Sequence, residues 1–171
     1  MLPTSQCLAL LEAAGVPMIY FPATSAQDDT IYLNPAACQH MVIFGEGFDC
    51  KIRLRGEGYG CIESDWVCTT QKDSIVSAFE ACGMQKLEGS IFPYFFKIDD
   101  LEGVELNRDS CSLTFFYKNQ KWPDGYAPAF LTFEAAEATY QQLLQSGVKP
   151  YSNPSTPPPS TPSPSPLPAF V

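Results

Sequence analysis

Three basic residues alternate along one short segment of the chain, Lys51, Arg53 and Arg55 in the run KIRLR. The chain has 171 residues, only ten of them basic, and a net charge of −9. Alternate side chains of a strand point to the same face, so this spacing predicts a cationic strip. The strip could bind a small anion or an acidic protein segment, with Tyr59 as a stacking surface. The alternative is a solvated sheet face whose cations pair with Glu63 and nearby acids.

Two Gly-Glu-Gly triplets flank this segment, at residues 45–47 and 56–58. A dinucleotide-binding loop needs the pattern GxGxxG at the start of a helix, where backbone N–H groups face the phosphates. Here Cys61 replaces the last glycine, the chain enters a strand-like run, and Glu57 would repel a phosphate. The pattern instead favours a β-hairpin, since hairpin loops need glycine at positive φ.

The hairpin predicted from this pattern has residues 56–58 as a three-residue loop. It places Cys50 and Cys61 on opposite faces, so we expect them to share neither a disulfide nor a metal ion. The expected partners are Arg55–Tyr59, Leu54–Gly60, Arg53–Cys61, Ile52–Ile62 and Lys51–Glu63, with Cys50, Ile52, Leu54 and Ile62 on the apolar face.

The chain has a single histidine, His40, which lies two residues after Cys38. One histidine argues against the common multi-histidine zinc sites, and the seven cysteines include no CxxC pair. We therefore predict no metal site, no cofactor and no catalytic residue, with most cysteines as buried thiols. A Cys/His nucleophile pair stays open, although a structural role for His40 is favoured.

Five acids cluster in the run DDLEGVELNRD, residues 99–109. Their order does not match a calcium loop, which needs acids at positions one, three and five and glycine at six. A loose divalent-cation site or a carboxylate pair stays open. The favoured interpretation is an exposed acidic connector between two aromatic strands.

Helix and strand signals alternate loosely along the chain, and several strands are joined by hairpin-length turns. The sequence therefore predicts an α+β fold: a single domain with a mixed, largely antiparallel sheet and two or three packed helices. Capping residues and stop glycines mark helices that begin near Thr4 or Ser5, near Thr70 or Asp73, and after Thr132, and that end before Gly15, Gly83 and Gly147. The predicted strands are 18–21, 30–33, 40–44, 49–55, 59–63, 91–98, 112–117 and 129–133.

The chain divides by composition into a body, residues 1–149, and a tail, residues 150–171. The tail, PYSNPSTPPPSTPSPSPLPAFV, carries no charge and is dominated by proline, serine and threonine. Proline excludes helix and ladder pairing, and the segment cannot bury enough apolar surface to order itself. We predict a disordered, polyproline-II-like tail that acts as a spacer or a docking segment.

Residues 129–150, AFLTFEAAEATYQQLLQSGVKP, are similar to the strand–helix segment of vicinal-oxygen-chelate (glyoxalase-like) modules, in which a strand leads into a helix ending in Gly-Val. Members of that family carry metal-binding His and Glu on sheet strands. This chain has one histidine, far upstream, and its proline-rich tail stands where further strands would follow. The sequence therefore assigns the chain to no family.

The charge and the missing catalytic signatures limit the function. An acidic surface repels nucleic acid and anionic membranes, and we see no membrane-spanning segment, so we expect neither partner and a cytoplasmic location. The leading hypothesis is a non-enzymatic protein-interaction or accessory protein with a protein partner. The alternative is a domain that binds a small anionic ligand, or a small enzyme, with a pocket near the hairpin of residues 49–63.

Overall fold

The structure is a computed structural model that describes residues 4–22, 31–45, 49–56, 60–64, 66–118 and 127–151. It contains three α-helices, eleven β-strands and two short 3-10 turns in the described part of the chain. In chain order the elements are α1 (Thr4–Ala13), β1 (Ile19–Phe21), β2 (Ile31–Leu33), β3 (Cys38–Phe44), β4 (Asp49–Gly56), β5 (Gly60–Glu63), β6 (Val67–Cys68), α2 (Thr69–Ala81), β7 (Gln85–Leu87), β8 (Tyr94–Phe96), β9 (Leu101–Asn107), β10 (Ser112–Tyr117), α3 (Phe133–Gln145) and β11 (Lys149–Pro150).

The strands form three sheets, of which the largest positions the candidate site. Its strand order is β5-β4-β3-β8-β7, all neighbours are antiparallel, and β6 pairs with the start of β4. A smaller sheet has the order β10-β9-β11, with β11 parallel to β9, and β1 and β2 form a separate hairpin. The predicted α+β fold, a single domain with a mixed, largely antiparallel sheet and two or three helices, is confirmed, and the described part of the chain has three helices.

Strand β3 lies at the centre of the large sheet and is buried on both faces. Successive side chains of a strand point to opposite faces, and here Met41 and Ile43 enter one apolar cluster while Val42 enters another. On the first face α2 and the β1–β2 hairpin cover the sheet, with Phe79 and Phe21 fully buried. On the second face the small sheet and α3 cover it.

Helix α3 follows the sequence prediction at both ends. The Thr132 side chain accepts a hydrogen bond from the Ala135 N–H, which caps the first turn, and Gly147 leaves the helix with φ of +93°. Its apolar stripe packs Ala136 and Leu143 into the second cluster. Helix α2 begins one residue before the earliest predicted start, because Cys68 is its N-terminal cap residue.

Two predictions for the aromatic and acidic segments were wrong. The run 99–109 is no exposed connector: most of it is β9, the central strand of the small sheet, with Leu101 and Val104 buried. Conversely, the predicted strand 129–133 forms only isolated bridges through Ala129 and Phe130. The predicted strand 91–98 is reduced to β8, whose start after Pro93 fits the missing N–H of that proline.

The ordered body continues past the boundary placed at residue 149. Pro150 belongs to β11, and the N–H of Tyr151 donates to the Val104 carbonyl at 2.9 Å. The Tyr151 ring stacks on Phe116 with centroids 3.5 Å apart. Two residues assigned by composition to the tail therefore pack on the small sheet, whereas residues 152–171 lie outside the described part.

Candidate functional site

The cationic strip lies on β4 as its alternation predicts. Cys50, Ile52 and Leu54 are buried in the first cluster, whereas Lys51, Arg53 and Arg55 lie half-buried on the opposite face. Arg53 pairs with Val42, so the two side chains lie on the same face of the large sheet. The small sheet packs on that face over β3 and β8. The cationic strip on β4 therefore lies beside the part of the face that the small sheet covers.

The register of the hairpin differs from the prediction by two residues. Arg53 pairs with Glu63, Leu54 with Ile62, Arg55 with Cys61 and Gly56 with Gly60. The pairing of Gly56 with Gly60 leaves residues 57–59 between the two strands. These residues include the predicted site residue Tyr59 and lie outside the described part of the chain. A shift of two restores every side chain to its predicted face, so Cys50 is buried in the core while Cys61 is exposed on the other side.

Glu63 neutralises part of the strip. Its carboxylate accepts hydrogen bonds from Arg53 Nη2 at 2.8 Å and Nε at 3.2 Å, and from Lys51 Nζ at 3.4 Å. These donors, the Arg53 guanidinium first, hold the pKa of Glu63 below its ordinary value of 4.5, while partial burial opposes them. The acid is therefore ionised at neutral pH, which leaves the strip with a reduced positive charge.

Aromatic rings extend the strip on both sides. Lys51 Nζ lies 5.4 Å from the Trp66 ring centroid, and the Arg53 guanidinium lies 5.0 Å from that of Phe44. Phe44 in turn contacts Phe92, with centroids 5.3 Å apart. We call the continuous surface formed by Phe44, Lys51, Arg53, Trp66 and Phe92 the cation–aromatic face.

The sequence identified the two cations of this face but missed its three aromatic residues. Trp66 is 61% exposed and Phe92 41% exposed. Trp66 follows the end of β4 by ten residues and Phe92 by 36, and the pairing of strands brings both rings to the cations. In the sequence, Trp66 precedes the short strand β6, and Phe92 with Pro93 precedes the short strand β8. Neither residue can be assigned to a face of the sheet until the order of the strands is known.

The third basic residue, Arg55, lies further along β4 from this face. It pairs with His40 on one side and Cys61 on the other. Its backbone carbonyl accepts a hydrogen bond from the Cys38 thiol at 3.2 Å.

The Cys38/His40 pair, which the sequence left open as a nucleophile and base, is divided between the two faces. A shift in the β3–β4 register between the two residues places Cys38 in the first cluster. His40 is buried on the second face, stacked between Tyr94 and Tyr117 at 5.5 and 5.6 Å. The two tyrosine hydroxyls are hydrogen-bonded to each other at 2.8 Å. This arrangement favours a structural role for His40.

Three open cavities lie on the first face of the large sheet or beside the β1–β2 hairpin, and neither Arg53 nor His40 lines any of them. One of about 380 Å³ has an apolar floor of Ile43, Val76 and Phe95 with Lys72 and Lys86 at its rim. The others, of about 400 and 500 Å³, lie beside Tyr20 and Tyr32. The cavity of about 380 Å³ borders the 49–63 hairpin through Cys50, on the face opposite to Arg53. Tyr59, the other expected lining residue, lies outside the described residues.

Within the described residues, no three His, Cys, Asp or Glu side chains lie close enough together to hold a metal ion. In the same part of the chain no helix has the length and apolar character needed to cross a membrane.

Comparison with known proteins gave no match: no family model, curated protein or solved structure is similar to this chain.

Proposed function

We propose that this chain is a non-enzymatic protein-interaction or accessory protein that binds an acidic protein partner through the cation–aromatic face. The observation that carries this proposal is a series of contacts in which Lys51 packs on Trp66, Arg53 packs on Phe44 and Phe44 contacts Phe92. Glu63 connects the two cations. Exposed tryptophan and arginine dominate the binding energy of protein interfaces. The proline-rich tail adds a spacer or a docking segment to this surface.

The charge distribution supports an acidic partner. With a net charge of −9, most of this chain repels acidic proteins, and the strip holds three of its ten basic residues. An acidic segment would therefore be steered to this face, and its binding should weaken as salt rises. Glu63 accepts hydrogen bonds from both Lys51 and Arg53, so a small anion and an acidic segment would each compete with it for these cations. The exposed rings of Trp66 and Phe92 favour the larger partner.

The thiol chemistry supports a cytoplasmic location. All seven cysteines, which lie in the described part of the chain, are thiols. Three of them, Cys7, Cys61 and Cys68, are exposed. Exposed thiols persist in a reducing compartment and oxidise in a secretory one.

The proposal is tested by affinity capture from an extract of the source organism. Full-length chain, a variant carrying Trp66→Ser and Phe92→Ser, and a chain ending at residue 151 are immobilised in parallel, and the retained proteins are quantified by mass spectrometry. We expect a retained acidic protein to be lost with the double variant and at high salt. Leu131→Ala, which alters another strongly exposed apolar residue, serves as the matched control.

Equal retention by the wild type and the double variant would overturn the proposal. Loss only with the shortened chain would assign the binding to the tail instead of the face. Thermal unfolding of each variant checks that the body remains folded.

A further inference from the structure

An open cavity of about 380 Å³ lies where α2 faces the large sheet. Its floor is formed by Ile43 of β3, Cys50 of β4 and Phe95 of β8, which belong to the first cluster and are 4–5% exposed. Val76 of α2 adds an apolar wall. Since the floor is fixed by the packing of the core, the apolar surface of the cavity is preformed.

Two lysines from different elements lie at the rim of this cavity. Lys86 is on the edge strand β7 and pairs with Phe95, so its side chain lies on the same face of the sheet as the floor. Lys72 is on α2, four residues before Val76, so both lie on one side of the helix. The strand and the helix thus each place a cation beside the same apolar floor.

The charges at the rim do not cancel. Lys72 Nζ lies 3.5 Å from the carboxylate of Asp73, whose side chain is 65% exposed. Among the described residues, no ion pair involves Lys86. Two lysines and one aspartate give the rim one net positive charge. The rim therefore complements a ligand with a single negative charge, whereas a polyanion would be repelled by the net charge of −9 on the chain.

The other two cavities differ from this one in charge. Among the residues that the structure describes, the lining of the cavity beside Tyr20 has no charged side chain, and that of the cavity beside Tyr32 has one, the acid Glu12. Neither lining complements an anion. The cavity between α2 and the sheet differs from both because it combines cations with an apolar floor.

The size and lining of the cavity fit a small amphipathic molecule. Sites for small ligands measure about 300–1,000 Å³ and combine apolar walls with a few polar groups that orient the ligand. An apolar body on the floor would leave water, while an anionic group at its end would reach the rim. A carboxylate suits these lysines because an ammonium group donates charge-assisted hydrogen bonds to it.

We propose that this cavity binds a small organic monoanion, a carboxylate whose apolar body lies on Ile43, Val76 and Phe95 and whose charge is held by Lys72 and Lys86. This site goes beyond the proposed function, because it takes a small molecule instead of a protein and lies on the face of the sheet opposite to the cation–aromatic face. A carboxylate bound there does not block the surface proposed for the protein partner.

The test is isothermal titration calorimetry of the full chain with two carboxylates and their neutral alcohols. Naphthoate has a flat aromatic body and octanoate a flexible aliphatic one, and naphthylmethanol and octanol carry the same bodies without the charge. We expect at least one carboxylate to bind with a Kd below about 1 mM, which is an ordinary affinity for a ligand of this size. It should bind about tenfold more tightly than its alcohol, as when a charged hydrogen bond is gained. The tighter carboxylate identifies the kind of body that the cavity prefers.

Substitutions at the rim and in the wall locate the site. Lys86→Gln should raise the Kd of the tighter carboxylate about fivefold, whereas Lys86→Arg, which keeps the charge, should stay within about twofold of the wild type. Val76→Trp fills the cavity and should raise the Kd about tenfold or more. Ser77→Trp, at the next and exposed position of α2, is the matched control and should not change the Kd. Thermal unfolding of each variant checks that the body remains folded.

Three outcomes would contradict the proposal. The absence of saturable binding for both carboxylates at about 10 mM would overturn it outright. Alcohols that bind as tightly as their carboxylates would exclude a role for the lysines, and a Kd indifferent to Lys86→Gln or to Val76→Trp would place the binding elsewhere. Arg53→Gln alters the cation–aromatic face and not the lining of this cavity, so it should leave the Kd unchanged. Failure of this proposal is therefore distinguishable from failure of the proposed function.

Discussion

Replacement of Tyr151 by alanine tests whether this residue belongs to the packed body of the chain. The side chain is 36% exposed, so about two thirds of it is hidden against the small sheet. A tyrosine hides about 150–250 Å² when fully buried, so the contact removes about 130 Å² from water. At about 25 cal/mol per Å² this is worth about 3 kcal/mol.

Two effects reduce that figure. The ordered side chain regains rotamer freedom when it is removed from the contact, and the denatured chain already hides part of its surface. We therefore expect Tyr151→Ala to lower the free energy of unfolding by about 2 kcal/mol. For a body of this size each kcal/mol changes the melting temperature by about 2–4 °C, so the expected decrease is about 4–8 °C.

The assay is thermal unfolding of the full chain followed by circular dichroism and by calorimetry. Tyr151→Phe keeps the ring on Phe116 and should stay within about 1 °C of the wild type. Leu131→Ala, at a strongly exposed position, should behave in the same way. A decrease of less than about 1 °C for Tyr151→Ala would refute the contact and return the boundary of the body to residue 149.

Three further predictions concern local contacts, each measured by urea denaturation. A methyl group added at Gly103 would lie 3.2 Å from the Tyr151 Cβ and equally close to the backbone of β11, so Gly103→Ala should cost about 1–2 kcal/mol and Gly103→Val more; wild-type stability for both would contradict this packing. Because Arg53 lowers the pKa of Glu63 in the folded state, ionised Glu63 stabilises the fold above pH 4.5. The advantage of the wild type over Glu63→Gln, less than about 1 kcal/mol for an exposed pair, should vanish as the pH falls below that value, and a constant difference down to pH 2 would contradict it. Thr132→Ala should cost about 1 kcal/mol by removing the cap of α3, whereas Thr132→Ser should not, and equal losses for the two would rule out the cap.

Helix α3 was predictable because its signals are local. The cap at Thr132, the helical spacing of Ala136 and Leu143 and the stop at Gly147 all lie in one stretch of chain. No distant contact is needed to place them. The same holds for the alternation of KIRLR, which assigned the buried and exposed sides of β4.

Strand β9 was missed because its acids dominated the interpretation. Glu102 is exposed while Leu101, Gly103 and Val104 are buried, and the pairing with β10 is irregular at this point, so the burial of this strand does not follow simple alternation. The acidic residues suggested an exposed segment, although acidic residues on one side of a strand are compatible with buried residues beside them. The burial of its apolar residues depends on the small sheet, which sequence periodicity alone does not reveal.

The hairpin register shows what alternation can and cannot determine. Alternation has a period of two, so it fixes the face of each residue but tolerates a shift of two along the partner strand. The position of the turn decides between such registers, and Gly56, which was predicted to lie in the turn, is paired with Gly60 in β5. For the candidate site the consequence was direct, since Glu63 came to pair with Arg53 instead of Lys51.

The burial of β3 on both faces has a consequence for how the chain unfolds. If the layer on either side detached, β3 would expose apolar side chains there while its other face remained packed. Detachment of one layer would therefore remove much of the packing that also stabilises the layer on the other face. We expect the backbone amides of β3 to exchange with solvent hydrogen only through global unfolding, and so to be among the slowest-exchanging amides of the described residues.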